Sequence, residues 1–370
     1  MPLASRPGPR ILTGFAAAFL ALFLIDAIVF RSGLYPSILD TDSSTGRLEL
    51  VLSSEAKRQA TGGHRILVTG DSRMGLLVRT ANQLSPQLGY TFGFIGVAGT
   101  RPRCWYYMLR DVDPTARRYA ALVLPVGDYD DEDTYDDQEE WTADLRYVVA
   151  RLRLGDVLDF AGSYRSVRRK WQALRGGLFK GVVYSEDFQA FLSNPAARIA
   201  YVSRAKRDWP QWADNYEPEQ RNLKGLSVDW KAWKVTFPEG LTDAERRIFE
   251  NVLLMRPVPQ TGRCAVYRRR WFGRIIERYR GTGTRLIFIR LPRGPVLRPD
   301  SLAHKTSSSI REFASHPHVT LLDEHLFESL ERPEFYYDPL HLNAEGAARF
   351  STMLAQEVRA VLGPPRDAKP

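Results

Sequence analysis

Three side chains, Ser72, Asp338 and His341, are of the types and spacing that carry nucleophilic chemistry. Ser72 lies in VTGDSRMG (68–75), where a short apolar run ends in glycine and a helical pattern begins. A serine hydroxyl is a weak nucleophile until a base within hydrogen-bond reach takes its proton and a carboxylate holds that base. YYDPLHLNAEG (336–346) supplies both, with Asp338 and His341 three positions apart in a loop that enters a helix. From there Asp338 can orient one imidazole nitrogen while the other faces Ser72, and the chemistry would be acyl transfer or hydrolysis through an acyl-serine. Each piece also has a structural reading. Gly-Asp-Ser suits a strand-to-helix turn, where Asp and Ser cap helices, and a loop histidine often has an acid nearby. Of the six histidines, only His341 follows a fifth apolar run and precedes the closing helix. Asp323 and His325 are the nearest rival, but a spacing of two is poor if that stretch is helical.

The elements that must position these residues are legible as an alternation. RILVT (65–69), FGFIGV (92–97), AALVLPV (120–126), TRLIFIRLP (284–292) and HVTLLD (318–323) read as strands between helical patterns. One helix is expected through Met74, Leu77, Val78, Ala81 and Leu84, and another at about 300–315. The last runs from 344 to 362, with Asn343 as N-cap and a stripe of Ala347, Phe350, Met353, Leu354, Val358 and Val361 packed on the sheet. The pattern predicts a doubly wound α/β fold, its parallel strands in order 2-1-3-4-5. Such sheets place ligands beyond the carboxyl ends of their strands, so Gly70, Gly96 and Gly127 are expected on one edge. The expected organisation is an anchor (1–33), a tether with one short helix at 47–60 (34–62), a core in two parts (63–139 and 283–363), a mainly helical insertion (140–282) and a tail (364–370). Within the insertion, helices are expected near 242–255 and in YRRRWFGRIIERYR (267–280).

ILTGFAAAFLALFLIDAIVF (11–30) is a run of twenty residues with one charge, Asp26. As a helix it would span about 30 Å, the thickness of a bilayer core. Arg6 and Arg10 precede it, which predicts a cytoplasmic N-terminus and an exported body, periplasmic or extracellular. A cleaved signal peptide would have a shorter apolar core and a small-x-small site. FRSGLYPS offers no such site, so a single-pass, uncleaved anchor is expected. Asp26, near the outer end, either reaches headgroups or pairs with a partner helix. The net charge of +9 and pI near 9.5 suit an anionic envelope or polymer. Nucleic acid is discounted as a partner, because the arginines are scattered and no recognition pattern accompanies them. Cys104 and Cys264, the two cysteines, could be joined in an exported protein, but their spacing matches no disulfide framework or metal site.

Gly70-Asp71-Ser72 after the first strand, with Asp338-Pro-Leu-His341 before the last helix, resembles the first and last blocks of the SGNH (GDSL-type) hydrolases. The resemblance covers roughly residues 63–138 and 283–362. It implies a flavodoxin-like three-layer α/β/α fold and a Ser72-His341-Asp338 triad. Gly70-x-Ser72-x-Met74 lacks the second glycine of the α/β-hydrolase elbow. The family's second block contributes an oxyanion-hole glycine, here Gly96 or Gly99 with Gly99 preferred, beside Ser72 itself. Its third block reads Gly-x-Asn-Asp, but Gly127-Asp128-Tyr129-Asp130 puts Tyr129 in the asparagine position. An oxyanion donor is typically worth ~3 kcal/mol, and the Tyr129 hydroxyl, Arg101 or Arg103 is expected to substitute for it. Arg101, Arg103 and Asp128 are the expected substrate contacts.

A membrane-anchored, exported domain of this type with a degenerate third block is similar to proteins that work beside membrane-bound O-acyltransferases, such as alginate acetylation and lipoteichoic-acid alanylation factors. That likeness implies acetyl or other acyl transfer onto an envelope polysaccharide, with such an acyltransferase as partner and no cofactor. A carboxylesterase or deacetylase of the same fold is the nearest alternative. A non-catalytic membrane-tethered scaffold is the reading from a different class.

Two charge clusters complete the reading. DYDDEDTYDDQEE (128–140) has nine acidic residues in thirteen. Its carboxylates do not follow the EF-hand spacing, so no metal is assigned and a solvated loop, able to steer a cationic substrate or partner, is expected. Arg268, Arg269, Arg270 and Arg274 read as the wet face of a helix whose Val266, Trp271, Ile275 and Ile276 point inward, in preference to a polyanion-binding surface.

Overall fold

The computed structural model describes residues 9–59, 64–75, 81–133, 138–215, 219–256, 258–299 and 307–365. Its main helices are α1 (Pro9–Arg31), α2 (Ser44–Gln59), α3 (Pro102–Val112), α4 (Val157–Gly162), α5 (Val167–Leu178), α6 (Gly181–Ser193), α7 (Pro195–Asn215), α8 (Asp243–Leu253), α9 (Arg263–Arg278) and α10 (Ala344–Leu362). The strands are β1 (Arg65–Gly70), β2 (Thr91–Gly96), β3 (Ala121–Val126), β4 (Ser227–Asp229), β5 (Lys234–Thr236), β6 (Arg285–Arg290) and β7 (Val319–Leu321). Two compact units result, one of Met1–Glu49 with Leu145–Ala205 and one of Leu50–Asp144 with Lys206–Pro370.

The second unit is built on a parallel sheet of order β2-β1-β3-β6-β7, the expected order, beside an antiparallel β4-β5 hairpin. Central strands buried on both faces need continuous apolar runs, and Ala-Leu-Val-Leu-Pro-Val of β3 is buried throughout. β1 and β2 run in register from Arg65 opposite Thr91 to Gly70 opposite Gly96, so both glycines end on one edge. Asn343 caps α10 by accepting the Gly346 N–H at 3.0 Å. The helix then buries Ala347, Phe350, Leu354 and Val358 in the sheet core, with Met353 and Val361 at its margin. Of the helix expected through Met74 to Leu84, Leu77 and Val78 lie outside the described residues, and Ser72–Met74 form a 3-10 turn. Residues 300–306 of the next expected helix and 366–370 of the tail also lie outside them; Ser309–Glu312 are helical.

The compact units divide the expected insertion. Residues beyond Ala205 belong with the sheet: Leu223, Leu226, Val235 and Phe249 join its core, because a sheet face must be covered by something. α9 packs Phe272 against Trp105 of α3 and Phe288 of β6, with ring centroids 6.1 and 5.1 Å apart. Its buried stripe runs through Cys264, Tyr267, Arg268, Trp271 and Ile275. That phase corrects two expectations, since Val266 falls on the exposed side and Arg268 is buried. Arg268 donates to the Asp130 carbonyl at 2.8 Å and pairs with Asp131 at 3.3 Å.

The start of the acidic run is therefore not simply a solvated loop. Asp131 accepts from the Ser309 N–H and hydroxyl, each at 2.6 Å. Asp133 accepts the Cys264 N–H at 2.9 Å, capping α9 from a distant loop. Residues 134–137 of the run lie outside the described residues. Cys104 and Cys264 are buried and unjoined; the Cys104 thiol contacts Asp144 Oδ1 at 3.1 Å.

The first unit contains α1, which is long and apolar enough to cross a membrane. Part of the expected tether is core here, because Tyr35 and Leu39 are buried with Phe30, Val149 and Tyr184. Asp26 meets its own chain: its carboxylate accepts the N–H groups of Lys180 at 3.0 Å and Gly181 at 2.7 Å. That carboxylate therefore sits at the start of α6, where a negative charge is favoured by the helix dipole.

Candidate active site

Ser72 is positioned by the way β1 ends. Gly70 has φ +141°, a conformation L side chains rarely adopt, and a Cβ there would strike Met74. A Cβ on Gly96 would collide with the Gly70 carbonyl. Two facing glycines thus let the β1 and β2 ends approach closely while the chain turns sharply into Ser72. Thr100 locks the turn after β2 to the same point by donating to the Gly70 carbonyl at 2.8 Å. Asp71 caps the 3-10 turn, accepting the Arg73 N–H at 3.0 Å and pairing with its guanidinium at 2.8 Å. Burial pushes the Asp71 carboxyl up, but Arg73, its hydrogen bonds and nearby His341 together hold it below its ordinary value.

His341 is held by a loop that closes on itself. Tyr336 and Leu342 form an isolated antiparallel bridge, and Tyr337 N–H donates to the His341 carbonyl at 3.2 Å. Asp338 Oδ1 accepts the N–H groups of Leu340 at 2.8 Å and His341 at 2.7 Å, while Oδ2 meets His341 Nδ1 at 2.7 Å. Burial raises the Asp338 carboxyl, yet the His341 ring and the two amides outweigh it and the net shift is downward. The carboxylate consequently stays charged and fixes Nδ1 as the protonated nitrogen, leaving Nε2 as acceptor. Nε2 lies 2.8 Å from Ser72 Oγ. Ser72, His341 and Asp338 therefore stand in one hydrogen-bonded line at the carboxyl edge of β1, with Ser72 exposed to solvent. This arrangement can take a proton from the hydroxyl as it attacks and return it to a leaving group.

Three further residues support the line and were not singled out by sequence. The Tyr337 ring stacks on His341, with centroids 5.8 Å apart and planes 16° from parallel. Arg221 donates to the Tyr337 carbonyl at 3.1 Å and pairs with Glu245 at 2.8 Å. Gly346 admits the Phe335 carbonyl where a Cβ would clash, which lets α10 start against the loop. Tyr337 could have been noticed as the aromatic neighbour of the Asp-x-x-His block. Nothing local marks Arg221, which arrives from a segment over a hundred positions away.

The other expected site residues are placed less directly. Gly99 has φ +79° in the turn tied down by Thr100, and neither its N–H nor that of Ser72 has a hydrogen-bond partner among the described residues. Tyr129 is a correction. It is buried, and its hydroxyl lies 3.0 Å from the Phe288 carbonyl and 2.7 Å from that of Leu322. Its one proton is committed to those two acceptors inside the fold, so it is not the oxyanion donor expected. Burial and the acidic groups of Glu324 and Asp323 push this phenol well above its ordinary value.

Arg103 is also corrected. It is wholly buried, donates to the Glu139 carbonyl, pairs with Asp144 at 3.5 Å and lies over the Tyr267 and Trp271 rings, out of reach of a substrate. Arg101 stacks over Trp141, 4.4 Å from the ring centroid. Asp128 accepts the Asp130 N–H at 3.0 Å and shapes the turn after β3. His325 pairs with Glu328 at 2.8 Å, not with a serine.

The fold and the site together define a doubly wound α/β protein carrying a Ser-His-Asp relay at the carboxyl edge of its sheet. No family model matches the chain, and no curated protein matches it.

Proposed function

We propose that this chain is a membrane-anchored serine acyl-transfer protein of the SGNH type, O-acetylating or otherwise O-acylating an exported envelope polysaccharide. The observation that carries the reading is the contact of Ser72 Oγ with His341 Nε2, backed by Asp338. Ser72 Oγ attacks the carbonyl carbon of an acyl donor while His341 takes its proton, and Asp338 stabilises the imidazolium. The oxyanion is received by the N–H groups of Ser72 and Gly99, both unpaired among the described residues. Collapse expels the donor's alcohol or thiol, which leaves with the proton from His341. An acceptor hydroxyl then attacks the acyl-serine, with His341 as base, and regenerates Ser72. If water is admitted instead, the same steps make an esterase or deacetylase.

An α1 that crosses the membrane with Arg6 and Arg10 inside would export residues 34–370 toward such a polymer. A multispanning O-acyltransferase would then supply the acyl group. The scaffold reading retains one supporting observation: the inward-turned Tyr129 hydroxyl does not take the place of the missing asparagine donor.

The deciding experiment is labelling of the full chain by a serine-directed phosphonate. Wild type should form an adduct at Ser72, and Ser72→Ala should lose both the adduct and polymer acylation. Equal labelling and acylation by both would leave the scaffold. A reporter fused to the C-terminus should be active only outside the cytoplasm; a cytoplasmic signal would overturn the anchor orientation and the envelope substrate.

A further inference from the structure

The unit that contains α1 presents a second apolar surface. Phe179, at the α5–α6 junction, packs edge-on against Phe19 and Phe23 of α1, with ring centroids 5.3 and 6.0 Å apart. The junction is clamped on both sides. Arg31 donates to the carbonyls of Gly177 and Leu178 at the end of α5, and Asp26 accepts from Lys180 and Gly181 at the start of α6. Gly181 permits this approach, since a Cβ there would crowd Phe30 and Asp26. At a rise of 1.5 Å per residue, Phe23 and Phe19 lie about 5 and 10 Å from the level of Asp26 along the helix. Phe179 therefore reaches down the apolar flank of α1, where Phe19, Leu22 and Ile25 are exposed. Whatever surrounds α1 there also surrounds the end of α5.

The outer face of α5 continues that surface. Val167, Trp171, Leu174 and Leu178 recur at i, i+4, i+7 and i+11, and the first two are 80% and 62% exposed. The opposite face, Ala173, Gly176 and Gly177, is buried, with Leu145 and Val157 close to its glycines. Arg168, Lys170 and Arg175 are exposed beside the apolar stripe. An exposed stripe of Val, Trp and Leu flanked by cations is the composition of a helix lying in a membrane interface. Tryptophan favours that depth, and the cations match anionic headgroups.

We infer that α5 is an interfacial helix, seating its Val167–Trp171 face in the anionic bilayer surface beside α1. The inference rests on α1 crossing the bilayer, and the experiment separates the two. Nitroxide labels are placed one at a time on the full chain in phosphatidylglycerol–phosphatidylcholine vesicles, at Val167→Cys and Trp171→Cys. Leu22→Cys on α1 serves as the lipid reference and Lys224→Cys as the aqueous one. All four positions are exposed, so folding is spared, and the native thiols of Cys104 and Cys264 are buried. The labels at 167 and 171 should be several-fold more accessible to oxygen, relative to a nickel chelate, than the label at 224. Their depth should be about 5–10 Å. If 22 is in lipid while 167 and 171 behave like 224, the interfacial helix is wrong and the anchor stands. Aqueous behaviour at 22 as well would remove the anchor and this proposal together. Labels at 167 and 171 that are shielded from both reagents and broadened by one another would place a second copy on the face, which overturns the lipid assignment.

Discussion

Ser72 Oγ and His341 Nε2 are 2.8 Å apart although 269 positions separate them in the chain. Neither residue is held by its neighbours alone. Ser72 depends on Gly70 and Gly96 being able to face one another, and His341 on the Tyr336–Leu342 bridge and the two Asp338–amide hydrogen bonds. The relay is consequently a product of two turns, each hydrogen-bonded within itself, brought together by the order of the sheet.

In the proposed acyl transfer the three residues act as a unit. Asp338→Asn should fold and yet lower turnover of an activated ester by about 10³–10⁴-fold, because the amide no longer selects the reactive tautomer of His341. Ser72→Ala and His341→Ala should be at least as damaging, and the double variant no worse than the worse single one. Losses that multiply would show that the residues do not work together.

Tyr129→Phe separates a structural hydroxyl from a catalytic one. Removing a buried bond to the Phe288 and Leu322 carbonyls should lower unfolding free energy by about 1–2 kcal/mol. Ester turnover and phosphonate labelling should be unchanged. A folded variant with greatly reduced turnover would return Tyr129 to the oxyanion hole.

Arg103 and Asp144 are both fully buried. Arg103→Ala should destabilise by about 3–5 kcal/mol, chiefly by leaving the carboxylate without its cation. Arg103→Met combined with Asp144→Leu should recover much of that loss in a urea melt. A stable Arg103→Ala with impaired substrate binding would instead support the role expected from sequence.

Acid should weaken the site's scaffold with a definite sign. Asp71 and Asp338 both have carboxyls held below the ordinary value in the folded chain. Their contributions are present above the unfolded-state value, roughly 4, and are lost as pH falls through the lower folded values. Stability measured down that range should fall less steeply in Asp71→Asn than in wild type. Parallel curves would mean that Arg73 does not hold Asp71 as described.

What was legible in the sequence was whatever depends on neighbours in the chain. The five strands, the Asn343 cap and the Asp338-to-His341 turn are local matters of apolar runs, side-chain caps and a spacing of three. The sheet order followed too, because the fixed hand of parallel crossovers leaves few ways to wind such a sheet. Side-chain direction was decided only by tertiary contact. Tyr129 and Arg103 stand beside the expected blocks, but their polar ends are drawn inward by the carbonyls of Phe288 and Leu322 and by Asp144, partners remote in sequence or on another helix. The same cause hid Asp26 and Arg31, whose partners at 177–181 are about 150 residues away. A composition or a spacing records which groups can pair, while burial selects the pairs that form, since a polar group removed from water must find its partner wherever the fold provides one.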